Sequence, residues 1–187
     1  MAPMHSAGVF DWKRRMGVHN AYHRSLANRA IHWAAIPFEL CAVVTLLAYV
    51  RLGPLRDAAL VAIVLVAPIY LATELLVGAL MVAFLSGCRL LAMRLLAEAP
   101  LFGVAAALVV FAVAFTVQVR VGHGVFEQGR DDTNNNLAEL RATKNPIPIL
   151  LVFYYHLVEI VLATGYRPRL KQDIDAFTAA EITRSPP

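Results

Sequence analysis

The chain has 187 residues, of which 59% are hydrophobic and only 16% charged, with a mean hydropathy of +0.60. Soluble domains carry about 25% charged residues, so polar surface is too scarce here to coat a water-exposed globule. A secreted disulfide scaffold, a disordered tail and an ordinary cytosolic enzyme are excluded. The formal net charge of +4 does not point to nucleic acid, because the basic residues are scattered through short polar segments without interleaved aromatics. Arginine flanking apolar blocks is the pattern of a chain seated in a lipid bilayer with anionic headgroups.

In chain order, residues 11–30 read as a short amphipathic helix and a turn at a membrane surface. The first long apolar block runs from Ile31 to Leu52, enough for one span of about 20 residues. Arg51 to Arg56 forms a tight polar turn with Gly53 and Pro54 as breakers. The next block, Ala58 to about Leu91, would measure about 50 Å as one helix against about 30 Å of hydrocarbon. It therefore folds back as a hairpin, with Pro68 and the pair Thr73-Glu74 marking the turn and Glu74 placed there. A further span covers Leu101 to about Val119 after Pro100, a polar loop runs from Arg120 to Asn145, and a last apolar block covers Ile147 to Thr164.

The expected fold is an all-α integral membrane bundle of four to five membrane segments. One domain, 1–187, carries a polar N-terminal segment 1–30 and a C-terminal tail 172–187 as appendages. Cys41 and Cys88 fall inside apolar blocks and read as small core or lipid-facing residues rather than a disulfide or metal pair. Trp12, Trp33, Tyr49 and Tyr155 read as interfacial anchors or packing, and Asp131-Asp132 as a solvated loop or a helix cap.

The histidines carry the chemical information. His5 is set aside with the terminus, while His23, His32 and His123 lie where polar segments meet apolar spans. A continuous helix would turn about 900° between His23 and His32 and place them on opposite faces. A break near Ser25 to Asn28, capped by Ser25 or Asn28, lets the two rings converge. In Gly122-His123-Gly124-Val125-Phe126-Glu127, His123 and Glu127 share a face if that turn is helical. Imidazole with carboxylate suits Zn, Fe or Mn, and the carboxylate serves equally as a partner to a second ring nitrogen. Gly122 and Gly124 leave room for another element or a ligand at the backbone. Ionisable groups beside apolar spans are costly, which makes a functional site the default reading.

Crossing parity supports convergence. His23 and His32 meet His123 only if the chain crosses the membrane an even number of times between them. Blocks 31–52 and 101–119 give two crossings, and a hairpin at 58–91 adds two more.

The string YHRSLANRAIHWAAIPF, together with VGHGVFEQGR and Gly165-Tyr166-Arg167-Pro168-Arg169-Leu170-Lys171, resembles the signatures of the membrane family of the yeast endoplasmic-reticulum 2-hydroxy-fatty-acid dioxygenase. The likeness covers roughly residues 18–175. It implies an Fe(II)-dependent, O2-consuming enzyme that shortens a 2-hydroxy fatty acid by one carbon. Matching positions are His23, Asn28, His32, His123, Glu127, Arg130, Glu159 and Arg169. His19 and His156 do not match, so iron is not carried onto them, although His156 stands three residues from Glu159 and can add locally to the site. The family's Arg-Pro-Ala-Leu is here Arg130-Asp131-Asp132-Thr133, and the segment after it is longer, a departure that bears on substrate identity.

The resemblance implies that His23, His32 and His123 hold Fe(II), leaving positions for O2 and for the carboxylate and hydroxyl of the acid. Glu127 orients an imidazole or adds a ligand, and Asn28 supports from behind. Arg130 and Arg169 are the expected carboxylate contacts, the fork of an arginine matching that geometry. Arg130 as an interfacial headgroup contact is the competing reading. A haem-carrying electron-transfer protein and a non-catalytic membrane adaptor are the readings from other classes, and a hydrolase lacks its Gly-x-Ser-x-Gly elbow. The basic N-terminal segment favours a cytoplasmic N-terminus. A fifth crossing would then put the Arg167–Lys171 tail outside, so the last block is a candidate for re-entry. The Ala- and Arg-rich composition favours a bacterial plasma membrane over the endoplasmic reticulum. Oligomeric state is not readable from these residues.

Overall fold

The computed structural model describes residues 11–53, 56–128, 136–137, 140–142 and 144–184. The expected all-α bundle is observed. α1 (Trp12–Tyr22) is followed by α2 (Leu26–Tyr49), α3 (Ala58–Thr73), α4 (Leu75–Glu98) and α5 (Pro100–Thr116), which continues as a π-helical segment Val117–Phe126. After the 127–146 connection come α6 (Ile147–Ala163) and α7 (Pro168–Arg184). The helices Leu26–Tyr49, Leu75–Glu98 and Pro100–Phe126 are each long and apolar enough to cross a membrane, and α3 and α6 are shorter apolar helices. Large apolar side chains face outward, Leu101, Phe102 and Val109 of α5 among them. The only buried positions of α5 are Gly103, Ala107 and Ala114, small residues of the kind that let membrane helices approach.

The 58–91 hairpin is present, its second arm running on to Glu98. Glu74 alone separates the arms, ending α3 and capping α4 by accepting the Val77 N–H at 2.9 Å. The arms are antiparallel: Asp57, seventeen residues before the turn, meets Arg89, fifteen after it, in a two-pronged ion pair with contacts of 2.6 to 3.1 Å. A side chain on Gly78 would collide with the Tyr70 carbonyl, which is why so tight a turn needs glycine there.

Three expectations at the edges change. The turn at 51–56 is a two-stranded antiparallel ribbon, Arg51–Gly53 against Arg56–Asp57. Residues 120–126, expected as loop, continue α5. Cys41 and Cys88 are joined in a disulfide, correcting the reading of two unlinked cysteines. The hairpin returns α4 alongside α2 and sets their Cα atoms 5.1 Å apart, within bonding range for two cysteines.

The two polar ends of the chain pack on each other. α1 buries Trp12, Met16, Gly17 and His19, and α7 buries Leu170 and Ile174. A Cβ on Gly17 would lie 2.5 Å from Phe177 Cβ. α6 does not run from one end of the bundle to the other. The Leu150 carbonyl accepts the Tyr70 hydroxyl at 3.0 Å, and Tyr166, just past the helix, reaches Glu74 at 3.0 Å. Those positions are about 24 Å apart along a straight helix, yet both touch the 70–74 corner. α6 therefore lies across the end of the bundle where the α3–α4 turn sits.

Candidate metal centre

The α1–α2 junction breaks where the sequence indicates. His23 terminates α1, and Ser25 is the N-cap of α2, its hydroxyl accepting the Asn28 N–H at 3.5 Å. A helix start leaves several N–H groups without internal partners; here the Ser25 N–H donates to Glu127 Oε1 at 2.7 Å. The break swings His23 over the first turns of α2, and the π-helical stretch brings His123 in from the other side. π-helical turns are uncommon and concentrate at functional sites.

The ring centroids of His23, His32 and His123 lie 4.8, 4.8 and 4.9 Å apart, with ring planes 79° to 89° to one another. One ring nitrogen from each falls within 4.8 Å of the other two. His23 Nδ1 sits 2.9 Å from the His19 carbonyl, and His32 Nδ1 2.9 Å from the Asn28 carbonyl. A carbonyl oxygen only accepts, so both Nδ1 atoms carry a proton, which leaves Nε2 as the ligand atom when the ring is neutral. Metal-ligating histidines are fixed in the same way, the far N–H held by a carbonyl or carboxylate. Three imidazoles from three separate elements suit iron, zinc, copper or nickel.

The Glu127 and Asn28 side chains tie this assembly together. Asn28 is completely buried, and its Nδ2 donates to Glu127 Oε1 at 3.3 Å. Glu127 is therefore a strut between the π-helical segment and the α2 N-terminus. Backbone carbonyls hold the His23 and His32 rings. Gly122 is needed for the approach: a Cβ there would collide with Asn28 Oδ1 and lie 3.4 Å from His32 Cε1. Gly124 meets only its own segment.

Two further histidines join the cluster. His19 and His156 are buried, their Nε2 atoms are 3.2 Å apart, and with His23 they form a second triplet of converging ring nitrogens. His156 also lies 5.0 Å, ring to ring, from His32, and its Nδ1 is buried with no hydrogen-bond partner among the described residues. The signal for His19 was the four-residue spacing to His23, which places both on one helical face. No local pattern marks His156 beyond its three-residue spacing to Glu159. Glu159 pairs with Arg29 and accepts the Trp33 indole N–H at 3.0 Å, tying α6 to α2. Arg169 is exposed on the first turn of α7 and forms no hydrogen bond or ion pair with the cluster. Arg130 and Asp131-Asp132 lie outside the described residues.

Beside His32 and His156 opens an apolar pocket of about 210 Å³ between α2, α4 and α6. Ile36 and Leu40, Met81 and Phe84, and Leu157 and Ile160 line it together with Trp33. Two carboxylates at the turns between helices, Asp57 and Glu74, clamp the frame. The Arg89 guanidinium holds the Asp57 carboxyl below the usual carboxylate range. Burial pushes the Glu74 carboxyl up, but the Val77 N–H, Arg167 and Tyr166 outweigh it and bring it below its ordinary value.

A family model described as 2-hydroxy-palmitic acid dioxygenase Mpo1-like matches residues 10–144. The chain belongs to the Mpo1-like family. That match takes in His23, Asn28, His32, His123, Glu127 and Arg130, and ends before α6, so His156, Glu159 and Arg169 lie beyond it. No curated protein and no solved structure matches the chain.

Proposed function

We propose that this Mpo1-like chain is a non-haem Fe(II)-dependent dioxygenase that converts a 2-hydroxy fatty acid into the acid one carbon shorter. The observation that carries the reading is the triplet His23, His32 and His123. Three imidazoles stand mutually near-perpendicular, two with their protonated nitrogens pinned to backbone carbonyls, beside an apolar pocket. The family description names the substrate class.

His23, His32 and His123 would hold the ion. Bound there, Fe(II) supplies redox activation of O2 and a Lewis-acid seat for the acid's carboxylate and hydroxyl. The reaction balances with O2 as the only oxidant: the bond between the carboxyl carbon and the hydroxylated carbon breaks, the carboxyl carbon leaves as CO2, and the hydroxylated carbon becomes the new carboxyl with release of water. The protein's part is positional. The His19 and Asn28 carbonyls fix the rings, the Ser25–Asn28–Glu127 strut fixes His123's segment against α2, and α1 and α6 close over the cluster and exclude bulk water. Rings at 4.0 to 5.3 Å centroid spacing leave no slot for a porphyrin plane between them, which speaks against the haem reading. Composition favours a bacterial plasma membrane.

The test is anaerobic loading of purified protein with Fe(II), then addition of O2 and 2-hydroxypalmitate. Pentadecanoic acid and CO2 in equal amounts, both absent with His32→Ala, are expected. Unchanged 2-hydroxypalmitate in the iron-loaded wild type refutes the proposal.

A further inference from the structure

We infer that the pocket between α2, α4 and α6 holds the alkyl tail of the substrate, and that the Cys41–Cys88 cross-link is its floor and sets the length of tail it accommodates. The inference rests on the reading above for the polar end of the ligand. Polarity is confined to one end: His32 and His156 close that end, buried against the cluster, and the remaining lining is largely apolar. A ligand with one metal-binding end and one hydrocarbon end fits that division.

The depth follows from the helices. On α2 the lining runs from His32 to Leu40, eight residues or about 12 Å of rise. Cys41 stands one turn beyond Pro37, and Cys88 one turn beyond Phe84, so both continue the faces that line the pocket. There the two helices are bonded, with Cα atoms 5.1 Å apart. A methylene threading between them needs about 3.5–4.0 Å to the atoms on each side, roughly 7–8 Å in all. The tail stops there. Leu80, Phe84 and Ile160 on the rim are 45%, 37% and 40% exposed on the outer surface of the bundle, which gives the tail a sideways entrance from the bilayer.

The experiment uses full-length protein in detergent and a series of 2-hydroxy acids with a photoreactive diazirine at the tail end, with the labelled residues mapped by mass spectrometry. A probe whose tail matches the pocket should label Leu40, Met81, Phe84 or the cysteine pair, and excess 2-hydroxypalmitate should suppress that labelling. Leu40→Trp, which fills the lower pocket, should cut labelling on α4 at least tenfold. In Cys41→Ala/Cys88→Ala, longer probes should reach the next turn, Val44 and Ala92. These two variants shift the result in opposite directions, which misfolding does not do. Labelling that is not competed and falls on lipid-facing positions such as Leu108 and Val109 overturns the tail site. Labels that stay at the same residues when the bridge is removed overturn the floor. Competed labelling without formation of the shorter acid would refute the proposed reaction and leave the tail site standing.

Discussion

Gly122→Ala is the most pointed perturbation of the centre, because it adds one methyl group where two elements touch. The new Cβ would stand closer to Asn28 Oδ1 than the 3.0 Å that such atoms keep, and 3.4 Å from His32 Cε1. Asn28 has no room to yield, being fully buried with its amide held by Glu127. The π-helical segment must therefore move away from α2, on the order of 1 Å, and carry His123 with it. Overpacking of this kind costs about 1–3 kcal/mol of stability, and a 1 Å error in a positioned group costs about 100-fold in function. The assay is anaerobic titration with Co(II), read from its visible absorption, beside a thermal melt in detergent. Gly124→Ala is the control, since its Cβ would meet only the Val119 carbonyl at an ordinary 3.4 Å. The expected result is a 10- to 100-fold loss of Co(II) affinity for Gly122→Ala and a near wild-type curve for Gly124→Ala. Equal affinities for Gly122→Ala and wild type would refute the claim that this contact places His123.

Three other predictions follow from the same geometry. Glu127→Gln keeps an acceptor for the Ser25 N–H and the Asn28 amide, so metal affinity should fall only a few-fold. Glu127→Ala leaves both donors buried and should cost about 1–3 kcal/mol for each; parity of the two variants in melting and metal titration would contradict the strut role. Asp57 and Glu74 both have folded-state values below their ordinary ones. Their stabilisation is therefore present above the unfolded carboxylate range near pH 4 and is lost as pH falls through the lower folded values. Unfolding midpoints should drop below about pH 4, and Asp57→Asn or Glu74→Gln should flatten that acid limb. Gly17→Leu forces a bulky side chain between α1 and α7, and protease should then release α7 faster than in the wild type without cutting α2 to α5.

Much of this architecture is legible in the amino-acid pattern because membrane burial imposes simple lengths. The 58–91 block is too long to be one span, and a lone glutamate inside it belongs either at a turn or facing the interior; Glu74 is found at the turn. The helix break at Ser25 and the need for glycine at 122 followed from capping and close-approach rules. What was not legible depends on long-range contact. Nothing local says that α4 returns beside α2 with Cys88 opposite Cys41, or that His156, ten residues into an apolar helix, points at His19. The continuation of α5 to Phe126 was hidden because Gly122 and Gly124 read as loop residues, whereas one serves close packing inside a helix. The contact of Glu127 with the α2 N-terminus is equally hidden, because its four-residue spacing to His123 says nothing of the N–H groups of Ser25 and Asn28 that it accepts from.

The proposed function requires one ion held among His23, His32 and His123, and iron content measures it most directly. After anaerobic Fe(II) loading and removal of excess metal, the wild-type chain should retain one iron, and His23→Ala, His32→Ala and His123→Ala should each retain almost none while keeping the wild-type helical circular dichroism. Full iron retention in any of those three variants would contradict it.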